Sequence, residues 1–525
     1  MSDFDYKSLT DVDLREIFTN IQFKLTPRWN QYVSLAHAAS RRREAYFHDV
    51  ASGKTPLALM TAQMWGCKKL LVVCPTSALG AWERDVPKAS NYSIQFLCDS
   101  DTKKRRVALD RFKHDVYVTH YEGLKTLFAG IFIITTYNCP KCYKQDEFIS
   151  EKPVERLVCS RCCKSFPSKG NSKSVRKWLI DPQRFKYQFD CLILDEVHRC
   201  SEYKSLQSQI CLKLSQRSKC AIGLSGTPID HNLLEMFNIM LVLDLGRSLG
   251  SNFFTYRNTY FTKYGFNWEL KKNAQEQILA RIRESSISFG IDECIDLPPV
   301  IEEVQTVPSF DEYTRIHDQI VSGQVDHKGH TVKFVTDPGR LEALRQLCNG
   351  FIYTKDEERE AIVLNHQPKV DALIDTITDT GKKVLVFYHY SATRLIIEAG
   401  LRKAGIPYVS MYGSQPIADR RLAEKQFRND PTIRTLIAQK TIASEGFDGT
   451  AASIVVYFSP VGSPKIRTQC HGRIRRPEQK ESKLVSMDLA IKGSMDESVI
   501  KNRSDRFDFV TDCMEYLRNV RSRQT

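Results

Sequence analysis

No apolar run in the sequence is long enough to cross a bilayer; the longest, Leu127 to Ile134, falls far short of the roughly 20 residues a spanning helix needs. No membrane-spanning helix, and no membrane partner, is therefore expected. The first residues, Met1-Ser2-Asp3-Phe4-Asp5, lack the basic-then-apolar order of a secretory leader, so an intracellular protein is expected. No internal repeat is present, which excludes solenoids and propellers, and no low-complexity tract marks a long disordered segment. Cysteine is not scarce, at 16 in 525 residues, but only four sit at ligand spacing. In a chain of this length without a leader the others read as reduced thiols, not as a disulfide framework.

What is present is a chain of 525 residues, 42% hydrophobic and 26% charged, long enough for at least two cores. Its 76 Lys and Arg against 62 Asp and Glu give +14, which favours a polyanionic partner. Short apolar runs recur between amphipathic stretches at Leu70 to Cys74, Val116 to Thr119, Cys191 to Leu194 and Ala221 to Leu224. They return at Val384 to Tyr388, Thr435 to Ala438 and Ile454 to Phe458. This is the rhythm of parallel sheets with crossover helices, in two groups, and predicts an α/β protein with two lobes. The expected division is residues 1–297 for the first lobe, with a cysteine-rich insertion at 138–168, then a helical linker over 298–365 and a second lobe over 366–525.

The chemistry begins after a predicted helix at Trp29 to Arg41. His48-Asp49-Val50-Ala51-Ser52-Gly53-Lys54-Thr55 runs into the helix-forming Pro56-Leu57-Ala58. Gly-Lys-Thr opening a helix lets backbone amides face phosphates, Lys54 neutralise the outer oxygens, and the Thr55 hydroxyl hold magnesium. The glycine usual five residues before Gly53 is replaced by His48. A second signal strengthens the first: Leu192-Ile193-Leu194-Asp195-Glu196-Val197-His198 is an apolar strand ending in adjacent carboxylates. There Asp195 can hold magnesium through water while Glu196 orients an attacking water as general base.

With these two segments in order, the sequence resembles a superfamily 2 helicase, and most closely a Swi/Snf-like ATPase of the DNA-translocase type. Pro27 and Gln31 resemble the glutamine motif. Leu71 to Leu79 with Trp82-Glu83 is similar to motif Ia, Val118 to Glu122 to motif Ic, and Leu224-Ser225-Gly226-Thr227-Pro228 to motif III. Val384 to Phe387, Gly413 with Arg420, and Ala443-Ser444-Glu445-Gly446-Phe447-Asp448 resemble motif IV, the block after it, and motif V. Gln469-Cys470-His471-Gly472-Arg473-Ile474-Arg475-Arg476 resembles the arginine-finger block. The resemblance implies two tandem RecA-like lobes, ATP and magnesium as cofactors, and catalysis by Glu196, Asp195, Lys54, Arg473 and Arg476. It implies nucleotide binding by Gln31, Ser52, Gly53, Lys54, Thr55, Asp195, Gly446 and Asp448. Nucleic-acid contacts fall to Pro75, Thr119, Gly413 and Glu445, and coupling of nucleotide state to lobe movement falls to Ser225, Thr227 and Gln469. His48 and Ala51 depart from the usual phosphate loop. The Glu-Gly-Phe-Asp form of motif V leans toward viral or repair-type members, and the short flanks leave little room for chromatin-reading appendages, so a compact viral, phage or repair translocase is expected.

Cys139-Pro140-Lys141-Cys142 and Cys159-Ser160-Arg161-Cys162 form two CxxC knuckles 16 residues apart, the spacing of a four-cysteine structural zinc ribbon. Cys163 is a nearby spare for Cys162. Lys141, Lys144, Lys152, Arg156, Arg161 and Lys164 make the ribbon basic, so it reads either as a binding module for nucleic acid or a partner protein, or as a staple on a long insertion. The leading expectation for the whole chain is translocation on duplex DNA. A strand-separating DNA or RNA helicase is the alternative within the enzyme class, and an inactive nucleic-acid-binding scaffold the alternative outside it.

Overall fold

The computed structural model describes residues 10–504 apart from 50–51, 170–171, 230–231, 266, 295–296, 355–358, 366, 446 and 477. The chain divides into two compact units, the first ending at Ile287 and the second beginning at Ser288, with short stretches around His48 and Ile229 grouping with the second. Each unit is a RecA-like lobe built on one parallel sheet. Among the described residues no helix is long and apolar enough to cross a membrane.

In the first unit seven parallel strands run in the order Ser286–Ile287, Arg43–Tyr46, Cys220–Leu224, Cys191–Asp195, Leu70–Cys74, Val116–His120, Ile94–Phe96. The central ones are fully buried, as strands covered by helices on both faces must be. In the second unit six parallel strands follow the order Val300–Val307, Leu484–Ile491, Ile454–Tyr457, Val384–Tyr388, Thr435–Gln439, Tyr408–Met411. All seven apolar runs of the sequence lie on these two sheets.

Two boundaries differ from the sequence reading. The stretch 298–365 holds the helices Asp311–Ser322 and Asp337–Leu347, but it also supplies Val300–Val307, which pairs along its whole length with Leu484–Ile491. Val307, Tyr313, Ile316, Ile320, Leu347 and Phe351 join Val384 and Val386 in one core, so the stretch belongs to the second unit. The insertion in the first unit is wider than 138–168. Ala129–Asn138 pairs antiparallel with both Ser172–Ile180 and Gln145–Ser150 to form a three-stranded arm. The run Leu127 to Ile134 therefore ends one helix, Tyr121–Phe128, and begins the arm.

Candidate ATP-binding and metal sites

Parallel sheets present their ligand-binding side at the carboxyl ends of the strands, and there the first unit places Gln31, Gly53, Lys54, Thr55 and Asp195, while His48 and Ser52 of the same loop group with the second unit. Gly53 takes a left-handed backbone, φ +83°, and caps the helix Lys54–Met64, so Lys54 and Thr55 form its first turn. A Cβ at Gly53 would lie 2.8 Å from Gln31 Nε2, which leaves glycine as the residue that fits. Gln31 accepts from Arg28 N (2.9 Å) and donates to Gly53 O (3.1 Å), tying the loop to the helix Trp29–Ala38. Ser52 is buried, with a hydroxyl that has no hydrogen-bond partner among the described residues. A left-handed glycine opening the helix, in a cradle that a side chain would fill, fits a phosphate group. Val50 and Ala51 of this loop lie outside the described residues. His48 is buried and meets the Phe289 ring edge-on at 5.2 Å, so the residue in place of the usual glycine serves as packing.

Asp195 closes the strand Cys191–Asp195, and Glu196 follows in a left-handed backbone, φ +53°. For a residue with a Cβ that conformation costs about 1 kcal/mol or more, the kind of strain that collects at functional sites. Burial, and next the charge of Glu196, push the Asp195 carboxyl up to about 6, against the Trp82 hydrogen bond and the Lys54 charge. Trp82 Nε1 donates to Asp195 Oδ2 at 2.9 Å, and the Tyr121 hydroxyl donates to Asp195 O at 2.9 Å. His198 Nδ1 lies 3.2 Å from Glu196 Oε2 and 3.0 Å from Ser225 Oγ, and Ser225 Oγ accepts from Thr227 N at 3.2 Å. The carboxylate pair is thereby joined to both coupling residues of this unit. Trp82, Tyr121 and His198 carry roles that the sequence reading did not assign. The only sequence signal for Trp82 and Tyr121 was their place in two blocks far from Asp195.

Pro75 follows the strand Leu70–Cys74, and Thr119 sits in the neighbouring strand opposite Val73, so the two share one end of the sheet. The buried Thr119 hydroxyl has no hydrogen-bond partner among the described residues.

The second unit arranges its residues differently. Gly413 N donates to Gln439 Oε1 at 3.1 Å, joining the ends of two adjacent strands. Arg473, buried, donates to Gln469 O (3.2 Å) and Phe447 O (3.4 Å), while Arg476 Nε donates to Gly472 O at 3.0 Å. All three predicted residues Gln469, Arg473 and Arg476 thus lie on or just past the helix Pro464–Ile474. Asp448 accepts from Thr450 N (2.9 Å) and the Thr450 hydroxyl (2.7 Å) and pairs with Arg428 at 3.3 Å. Burial works against its ionisation, but the two Thr450 bonds, the Arg476 charge and the Arg428 bond together hold the carboxyl low. Gly446 and the Glu445 side chain lie outside the described residues.

In the arm, one sulfur from each of Cys139, Cys142, Cys159 and Cys162 lies within 4.8 Å of every other. Cys139 and Cys162 are 3.6 Å apart and Cys142 and Cys159 3.5 Å. Four thiolates at about 2.3 Å from one tetrahedral zinc would be roughly 3.8 Å apart, so the donor set fits that ion. The two knuckles repeat one geometry. Tyr143 N donates to Cys139 O and Cys163 N to Cys159 O, both at 2.9 Å, and both donors are left-handed with φ +56°. Cys163 is the counterpart of Tyr143, exposed and outside the cluster.

Comparison with known proteins sets these sites in a family. The chain is 23% identical over 468 residues to the DNA repair and recombination protein RDH54 of Saccharomyces cerevisiae, covering 83% of this chain and 45% of that protein. It is 22% identical over 421 residues to the putative ATP-dependent helicase/translocase YwqA of Bacillus subtilis, covering 78% and 39%. The chain thus spans less than half the length of these curated relatives. A solved structure, the Sulfolobus solfataricus SWI2/SNF2 ATPase core in complex with dsDNA, is similar over 93% of both chains, at 16% identity and a TM-score of 0.39. The helicase conserved C-terminal domain model matches residues 368–478. The SNF2-related domain model matches residues 31–333, more than half of the chain, and the chain belongs to that family.

Proposed function

We propose that the chain hydrolyses ATP and uses the cycle to move along duplex DNA. The observation that carries this reading is the strand-end cluster of the first unit: a glycine-capped helix opening with Lys54 and Thr55, whose lysine charge is felt by the Asp195 carboxyl. Lys54 and the amides after Gly53 bind the phosphates. Thr55 and Asp195 hold magnesium, which when bound neutralises phosphate oxygens. Glu196 takes the proton of the attacking water, and Trp82 and Tyr121 fix the strand end that carries both acids. Arg473 and Arg476 supply positive charge to the γ-phosphate. Pro75, Thr119, Gly413 and Glu445 contact the nucleic-acid backbone, which carries little sequence information. A relative that is a DNA repair and recombination protein, and another described as a putative helicase/translocase, support motion on DNA as the use of the cycle. The four cysteines hold a structural zinc, whose closed ligand set leaves no position for catalysis.

The test is ATP hydrolysis by the purified chain alone, then with duplex DNA, single-stranded DNA and RNA, beside a Glu196→Gln variant. Stimulation by duplex DNA that vanishes in the variant is the expected result. Stimulation by single strands or RNA alone would replace the translocase with a strand-separating helicase. No hydrolysis by folded protein that still binds DNA would sink both. Metal analysis of the same preparation is expected to give one zinc per chain, and none after Cys139 and Cys159 are both changed to Ser.

A further inference from the structure

The two faces of the three-stranded arm are treated differently. Ile133, Thr135 and Tyr137 of its middle strand are buried on one face. There Tyr137 packs on Phe166 at 5.4 Å, and its hydroxyl donates to Val158 O at 3.1 Å, so the cysteine-bearing hairpin covers the Tyr137 end of that face. The alternate residues point the other way. On that side the register sets Ile149, Ile134 and Val175 in one row across all three strands. Ile149 is 54% and Val175 65% exposed. An antiparallel sheet that turns a face to water ordinarily lines it with polar side chains, and a row with an exposed β-branched residue at each end, about a half-buried Ile134, is the reverse of that pattern.

The strand Ser172–Ile180 is also an edge. Among the described residues it pairs only with Ala129–Asn138, which leaves its other side without a strand partner, although the helix Leu206–Arg217 packs close to it. Along it, Lys173, Val175 and Lys177 are all exposed and share the bare face. The two lysines stand about 13 Å apart at strand rise. This pattern selects among occupants. A second copy paired antiparallel about Val175 would set Lys173 against Lys177 twice, and like charges directly opposite repel. Duplex DNA would satisfy the lysines but offers no apolar partner for Val175. An extended polypeptide with acidic, apolar and acidic side chains at alternate positions satisfies all three. The arm as a whole favours such a partner, with ten Lys and Arg against four Asp and Glu over residues 129–180.

We infer that the edge strand Ser172–Ile180 docks an extended acidic-apolar segment of a partner protein as a fourth strand, its two carboxylates meeting Lys173 and Lys177 and its apolar side chain meeting Val175. Main-chain bonds supply affinity in this mode, and the alternate side chains supply specificity. The docking is independent of the ATP reading.

The test uses the full chain and a fluorescent, capped peptide centred on Glu-Thr-Val-Thr-Glu. A permuted peptide, Glu-Glu-Val-Thr-Thr, keeps the composition and breaks the alternation, and a third peptide carries Lys for each Glu. Anisotropy titration is expected to show the first peptide binding about tenfold more tightly than the permuted one. K173E/K177E is expected to lose that preference and gain the lysine peptide, a swap that only a folded edge can make. Equal binding of the two acidic peptides would overturn the proposal. So would an unchanged affinity in K173E/K177E, or a variant that binds no peptide and instead loses affinity for duplex DNA, which would make the strand part of a nucleic-acid path.

Discussion

The two sheets treat their charges in opposite ways. At the strand ends of the first unit the acids are crowded: Asp195 and Glu196 adjoin, and burial and mutual repulsion hold Asp195 up to about 6. Such a pair is stabilised by an incoming cation, and the energetic tension is released when a ligand arrives. The second unit saturates its charges internally. Arg467, fully buried, donates to Asp488 Oδ1 (3.0 Å) and Ser486 Oγ (2.7 Å), and its guanidinium lies 3.7 Å from the centre of the Tyr457 ring. Arg503 donates to the second Asp488 oxygen at 2.8 Å. One unit keeps its electrostatics open for chemistry and the other spends most of them on architecture, leaving Arg473 and Arg476 as the arginines assigned to the nucleotide.

The largest expected effect tests that assignment. Arg476→Ala should lower ATP turnover by about 10³-fold while leaving ATP affinity and thermal stability near those of the parent. Arg473→Ala should lose as much turnover and also stability, since its buried guanidinium holds Phe447 O. Steady-state hydrolysis and nucleotide titration separate the two outcomes. Normal turnover in Arg476→Ala would remove the second unit's arginine from catalysis and break the contrast.

The buried network comes next. Arg467→Leu strands Asp488 beside one arginine where it had two, and breaking a buried pair costs about 3–5 kcal/mol. All five tryptophans lie at or before Trp268, within the first unit, so tryptophan fluorescence follows that unit while circular dichroism follows both. The variant should lower the dichroism midpoint and leave the fluorescence midpoint in place. A joint shift of both midpoints would mean that the units do not unfold separately.

The same contrast explains what was legible in the sequence. The fully buried strands announce themselves as apolar runs, and the loop with Lys54 and the Asp195-Glu196 pair stand out because they break those runs. The strand Arg43–Tyr46 does not, although it is central. Glu44 is buried within it against His37 at 3.0 Å, and Arg43 donates to Ser215 Oγ at 2.8 Å and Ser218 O at 2.8 Å. Charges satisfied at long range look like surface charges in a sequence. Edge strands such as Val300–Val307 are hidden for the opposite reason, since exposure leaves them polar. Trp82 reaches Asp195 across 113 positions, a distance over which no local pattern operates.

Trp82→Phe sharpens the comparison at smaller scale. It keeps the buried ring but removes the donor to Asp195, and a hydrogen bond to a charged group contributes about 1.5–3 kcal/mol. The magnesium concentration for half-maximal hydrolysis should rise about tenfold or more, by the usual 1.4 kcal/mol per decade, with turnover recovered at high magnesium. An unchanged magnesium dependence would reduce Trp82 to packing.

Acid provides the last contrast. Burial first, and then Arg467 and other nearby arginines, push the His471 imidazole down to about 3, and burial followed by Lys440 pushes His389 down to about 4. Both belong to the second unit. Their folded values lie below the ordinary 6.5, so between pH 6.5 and about 4 the unfolded chain binds more protons and stability falls as pH falls. Each histidine contributes at most about 1.4 kcal/mol per pH unit over that window. His471→Gln removes one titrating group while retaining a polar atom for Ser486 Oγ, its neighbour at 2.9 Å. Dichroism-monitored denaturation should therefore show a shallower loss of stability from pH 6.5 to 5 in the variant than in the parent. A parent whose second unit keeps its full stability to pH 5 would mean that these two rings are already protonated, and that the second unit leaves its charges as open as the first.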